Sequence, residues 1–120
     1  MLRRHPPDVI ETLLFVPIRD NQGRPFRRRQ WRVLHARLRA FGGYTRLPDV
    51  TGEWEWAGRV YRDCSRQYLV TLRSWAEPGA WLAVVEDARV TFGQEALYIE
   101  VAGIPEIWRP PPGGTSHAPA

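Results

Sequence analysis

The chain has 120 residues, 43% hydrophobic and 25% charged, with a formal net charge of +4 and one cysteine, which is the material of one soluble domain and too little for a multidomain enzyme. No apolar run approaches the about 20 residues that span a bilayer and no signal-like stretch follows the first basic residues, so a cytoplasmic chain with no membrane partner is expected. Cys64 alone can form neither an internal disulfide nor a structural zinc site, and because all 17 basic residues are arginine, Schiff-base and phosphate-loop lysine chemistry is excluded.

Residues 1–9 and 109–120 read as tails, since His5-Pro6-Pro7 and Arg109-Pro110-Pro111-Pro112-Gly113-Gly114 cannot repay their ordering entropy. The single folded domain is expected over residues 10–108. Ile10 to Ile18 is rich in β-branched and aromatic residues, with both alternating sets mostly apolar, which predicts a central strand covered on both faces. Asp20-Asn21-Gln22-Gly23-Arg24-Pro25 predicts a turn. From Arg27, the recurrence of Trp31, Leu34, Leu38 and Phe41 predicts a helix, stopped by Gly42-Gly43.

A second strand is expected from Tyr44 to Leu47, interrupted at Pro48-Asp49 and resumed around Glu53 to Trp56. Ala57-Gly58 supplies a two-residue hairpin turn. That register sets Trp56 opposite Arg59 and Trp54 opposite Tyr61 on one side, with Glu53 opposite Arg62 on the other. The third strand is expected to run through Gln67 to Trp75, with Tyr68, Val70 and Leu72 on one face. Trp81, Val84, Val85, Ala88 and Phe92 predict a second helix, stopped by Gly93. Ala96 to Ala102 is the last strand, which Ile104 to Trp108 would extend.

The order is β-α-β-β-α-β, an α+β ferredoxin-like arrangement with two helices on one face of a four-stranded antiparallel sheet. The other face should carry Leu13 with Phe15, Leu69 with Thr71, and Tyr98 with Glu100. So apolar a surface calls for a cover, and a homodimer is the expected one.

Gly43-Tyr44-Thr45, Gly52-x-Trp54, Gly58, Arg62-Asp63-x-Ser65 and Phe92-Gly93-Gln94-Glu95 follow one another in this order. In these motifs the stretch from about residue 12 to 102 resembles a bacterial ferredoxin-like family known only as a domain of unknown function. Asp63 stands where that family usually has Glu, and Thr91 where it often has Arg. The resemblance implies a fold and no activity, so no catalytic residue is carried over from it.

Three functional readings follow, in this order. The first is a non-catalytic binding or assembly module, self-associating through its open sheet face. The second is a small cofactor-free enzyme, isomerase- or oxygenase-like, with its site on the 53–66 hairpin. There Asp63 or Glu53 would act as general base beside Arg62, and Trp54, Trp56, Arg59, Tyr61 and Ser65 would line a pocket for a small anionic or aromatic ligand. The third is polyanion or nucleic-acid binding by Arg27, Arg28, Arg29 and Arg32. Residues 1–46 hold 11 arginines against Asp8, Glu11 and Asp20, yet Arg66-Gln67-Tyr68-Leu69-Val70 lacks the basic-Gly-aromatic run that RNA-recognition sheets use to stack bases. With His5 and His117 in the tails, His35 is the one histidine of the domain, and it reads as a structural residue of the first helix. A nucleophile pair with Cys64 is the chemical alternative. No metal or cofactor is expected.

Overall fold

Strand β1 (Ile10–Pro17) lies at the centre of an antiparallel sheet and alternates in burial along its length: Ile10, Thr12, Leu14 and Val16 are buried, and Leu13, Phe15 and Pro17 are half-buried. The structure, a computed structural model, describes residues 9–73 and 76–110, apart from the side chains of Trp54 and Trp56. Most of both expected tails therefore falls outside the described residues.

The remaining elements are α1 (Arg28–Arg39), β2 (Thr45–Trp56), β3 (Arg59–Leu72), α2 (Pro78–Thr91), β4 (Leu97–Val101) and β5 (Ile104–Trp108). The strand order is β2-β3-β1-β4-β5, so β1 is flanked by β3 and β4. This is an α+β architecture of two helices and five antiparallel strands. Both helices press on the face formed by Leu14, Val16, Tyr68, Val70, Leu72, Leu97 and Ile99. Their contribution is the predicted periodic set: Trp31, Leu34 and Leu38 from α1 with Phe41 behind them, and Trp81, Val85 and Ala88 from α2 with Phe92. Fully burying a side chain of this kind is worth about 1.5–3 kcal/mol, which is why tertiary packing rather than propensity holds these short helices. Among the described residues Thr12 is the buried polar exception, and its hydroxyl donates to the Val70 carbonyl at 2.7 Å.

The helix ends are tied off locally. The Gln30 side chain accepts the Arg27 N–H at 2.7 Å and donates to the Thr91 carbonyl at 2.8 Å, joining the start of α1 to the end of α2. After α2, Gly93 takes φ 62°, and Gln94 returns its N–H to the Arg89 carbonyl. The Phe92-Gly93-Gln94 motif is thus a helix stop, and glycine suits its left-handed position.

Three expectations need correction. The sheet has five strands, because Ile104 to Trp108 does not extend β4. The chain reverses at Ala102-Gly103, both at positive φ, and β5 returns antiparallel to β4 with Trp108 opposite Leu97. Pro105 is tolerated because β5 is an edge strand with one neighbour. β2 is continuous, and it absorbs Pro48-Asp49 as a register shift between Leu47 and Val50. β1 is covered by helices on one face only.

The hairpin turn stands where the sequence places it, with Trp56 opposite Arg59, Trp54 opposite Tyr61 and Glu53 opposite Arg62. Ala57 has φ 53° and Gly58 φ 78°, and Ala102 and Gly103 repeat the pair at 53° and 81°. Both are primed turns, whose twist matches the strands, but each holds an alanine in the left-handed region that its Cβ disfavours. Ala57→Asn and Ala102→Asn should therefore each raise the unfolding free energy by about 0.5–1 kcal/mol in urea titrations, since Asn tolerates that conformation. A loss of stability in both variants would contradict the turn geometry.

Candidate functional site

Four surfaces contain the residues singled out above. On the uncovered sheet face, the register aligns Leu13 with Leu69 and Glu100, Phe15 with Gln67 and Tyr98, Thr45 with Leu69, and Tyr98 with Ile107. The Phe15 and Tyr98 rings meet edge to face at 4.8 Å, and the Tyr98 hydroxyl donates to Glu100 at 3.2 Å. Leu13, Phe15, Leu47 and Leu69 are half-buried, and Tyr98 and Ile107 are exposed. The expected set of open-face residues is therefore brought together.

The hairpin is solvent-facing. Past Ser65, where β1 ends at Pro17, β3 pairs with β2, so that Gly52 to Trp56 and Arg59 to Asp63 form a two-stranded arm. Glu53 accepts from Arg62 through Nε at 3.1 Å and a terminal nitrogen at 2.5 Å, with both side chains more than half exposed. Such a pair is worth under about 1 kcal/mol. Arg59, Val60 and Asp63 are exposed, and Tyr61 and Ser65 are half-buried. The arm brings Glu53 and Arg62 into contact, whereas Trp54 and Trp56 have side chains outside the described residues.

The basic segment flanks a cavity of about 470 Å³, a size that suits a small ligand. Arg24, Arg27, Asn21 and Gln22 stand around it, and Phe26 and Phe92, edge to face at 4.8 Å, form its apolar wall. Asp20 closes the turn beside it, accepting the N–H groups of Gln22 and Arg24 at 2.9 and 2.8 Å. The Arg24 N–H bond heads the effects that hold the Asp20 carboxyl below the usual carboxylate range. Arg27, Arg28, Arg29 and Arg32 are exposed, and among the described residues none has an ion-pair partner.

The fourth surface is the one that residue-by-residue reasoning did not assemble. His35, half-buried on α1, shares a 2.8 Å hydrogen bond between Nε2 and the hydroxyl of buried Tyr68 and stacks on Tyr44 at 5.3 Å. The Arg66 guanidinium lies 4.0 Å over the Trp31 ring, a cation–π contact. Burial, then the charges of Arg66, Arg46 and Arg39, push the His35 pKa down. Burial pushes the Tyr68 hydroxyl up, partly countered by the nearby Arg66. The expected structural histidine is thus a member of a cationic aromatic cluster. Its sequence signal is faint: Trp31, His35 and Arg39 recur every four residues on α1, and Arg66 and Tyr68 alternate on β3. The contacts of His35 run to Tyr68, Tyr44 and Trp31, while Cys64 lies opposite Thr51 on the hairpin. Among the described residues no three His, Cys, Asp or Glu side chains are grouped to hold a metal ion, and no helix is long and apolar enough to cross a membrane.

Two helices laid on one face of an antiparallel sheet, with the opposite face open, place the chain among small α+β domains. Solved structures share that fold: a phage SAM lyase in its apo state superposes with a TM-score of 0.63 at 17% identity, over 90% of this chain and 93% of that one. The phage SAM lyase in complex with S-methyl-5′-thioadenosine gives 0.60 at 14% identity, over 90% and 93%. The divalent cation tolerance protein (Cut A1) from Thermus thermophilus gives 0.48 at 18% identity, over 90% and 87%. At such identities the likeness concerns the fold alone. No family model and no curated protein matches the sequence, so the motif resemblance is without support from a family match.

Proposed function

We propose that this chain is a self-associating binding or assembly module with a ferredoxin-like core, non-catalytic, in which a second copy covers the open sheet face. The observation that carries this reading is the largely apolar set on the uncovered face, Leu47, Leu69, Leu13, Phe15, Tyr98 and Ile107, contributed by all five strands with Gln67 between Leu47 and Phe15. Contiguous apolar surface rimmed by polar residues marks an interface, and here Glu11, Thr71 and Glu100 stand at its border. The arm adds support. Two strands without a third neighbour are marginal in water, and contact with another copy would stabilise Gly52 to Trp56 against Arg59 to Asp63.

Sedimentation velocity on the full chain tests the reading. A species heavier than the 13.9 kDa chain at micromolar concentration is the expected result. A monomer throughout that range would refute it.

A further inference from the structure

We propose that the cavity between the β1–α1 turn, the start of α1 and the end of α2 binds a small ligand that joins a planar ring to an anionic group, a phosphoryl or a carboxylate, with the ring on Phe26 and the anion on Arg27. This site is independent of the open sheet face, since its walls are the turn from Asp20 to Phe26, Arg27 and Gln30 of α1, and Thr91 to Gly93 at the end of α2. Its volume of about 470 Å³ lies within the about 300–1,000 Å³ of small-molecule pockets. The walls are held by their own bonds. Asp20 accepts the N–H groups of Gln22 and Arg24, its own N–H donates to the Arg24 carbonyl at 2.7 Å, and Arg19 pairs with Pro25 across the base of the turn. On the other side Gln30 ties α1 to the Thr91 carbonyl at 2.8 Å. A cavity with borders fixed in this way needs little ordering when it is filled.

Charge and apolar surface define what fits. The Asp20 carboxylate is already engaged, because it accepts two backbone N–H groups and faces the Arg24 Nε at 3.4 Å. Arg27 is exposed and has no ion pair among the described residues, so the lining keeps a cation without a counter-charge. Its planar fork matches the oxygens of a phosphoryl or a carboxylate group. Phe26 supplies the other half of the site. Phe92 and Trp31 meet it edge to face, with ring centroids at 4.8 and 6.0 Å, and it stays half-buried with the cavity beside it. A flat ring laid on Phe26 takes apolar surface out of water, which a bare anion does not do. Arg28, Arg29 and Arg32 lie outside the lining, so the cavity is distinct from the rest of the basic segment.

The test is a proton–nitrogen NMR titration of the full chain with phenyl phosphate and with benzoate, beside the separate halves phenol, inorganic phosphate and acetate, all at equal ionic strength. The backbone amides of Asn21, Gln22 and Gly93 are the reporters. Phenyl phosphate or benzoate should shift them saturably and bind at least about tenfold tighter than either of its halves, because ring and anion are held by one molecule. Tighter binding of one probe over the other names the anionic group. Arg27→Gln should weaken the better probe about tenfold, and so should Phe26→Leu, which keeps apolar packing but removes the ring, while Arg39→Gln, the same charge lost at the far end of α1, leaves it unchanged. Arg27 is exposed, so its variant decides the matter even if Phe26→Leu does not fold. Probes that bind no tighter than phosphate or acetate alone, or shifts spread evenly over Arg28, Arg29 and Arg32, would overturn the proposal. So would oligothymidylate binding weakened as much by Arg28→Gln as by Arg27→Gln, because the occupant would then be a nucleic-acid strand on the basic face.

Discussion

Trp81→Ala is expected to lower the unfolding free energy by about 3–5 kcal/mol, a large part of the about 5–15 kcal/mol that holds a domain of this size. Trp81 is 1% exposed in the first turns of α2, packed into the core between that helix and the sheet. Truncation removes the whole indole and leaves a cavity that a sheet with a fixed register cannot collapse to fill. A second variant separates packing from polarity. The Trp81 Nε1–H is buried without a hydrogen-bond partner among the described residues, so the native indole already bears the cost of a desolvated donor. Trp81→Phe keeps most of the aromatic packing and removes that donor, and should therefore cost no more than about 1 kcal/mol. Urea denaturation of the two variants checks the pair. Equal, large losses in both would show that the indole N–H contributes what the geometry says it lacks.

Phe15→Glu is expected to dissociate the self-associated species while leaving the fold intact. Phe15 lies on the face of β1 away from the helices, half-buried between Gln67 of β3 and Tyr98 of β4. Within one copy, the substitution gives up an edge-to-face contact with Tyr98, worth about 0.5–1.5 kcal/mol beyond the area buried. Between copies it does more, because a carboxylate placed in the middle of an apolar interface must be desolvated without a partner. Truncation of a central aromatic alone commonly costs about 2 kcal/mol or more, so the dissociation constant should rise by about 30-fold or more. Val33→Glu, on the exposed face of α1, serves as the control and should change nothing. Sedimentation equilibrium at several loading concentrations, with far-ultraviolet circular dichroism to verify folding, gives the comparison. An assembly that survives Phe15→Glu unchanged would place the contact elsewhere.

Both helices were legible because their apolar residues recur at three- to four-residue spacing and glycine ends each run. Trp31, Leu34 and Leu38, then Trp81, Val85 and Ala88, are the buried residues of the two helices. The first hairpin was legible through its Ala-Gly turn and the pairing of Glu53 with Arg62. The same dipeptide stands at Ala102-Gly103, but in the sequence Ile104 to Trp108 reads as a continuation of the last strand. Only the pairing of β5 back along β4, at the edge of the sheet, reveals the reversal. Pro48-Asp49 likewise reads as a break, whereas the sheet accommodates it as a shift of register within one strand.

By itself the sequence determined what local physics can encode: the helix faces, the turn positions, the alternation of β1 and β3, and hence the residues of the open face. These follow from periodicity, which neighbours along the chain carry. Convergence was decided by the tertiary structure alone. Arg66 comes to lie on Trp31, and His35 to bond Tyr68, across 35 and 33 positions of sequence respectively. No local pattern ties such pairs together, because it is the packing of α1 on β3 that makes them neighbours. The same packing sets the half-buried His35 ring against Tyr44 and Tyr68.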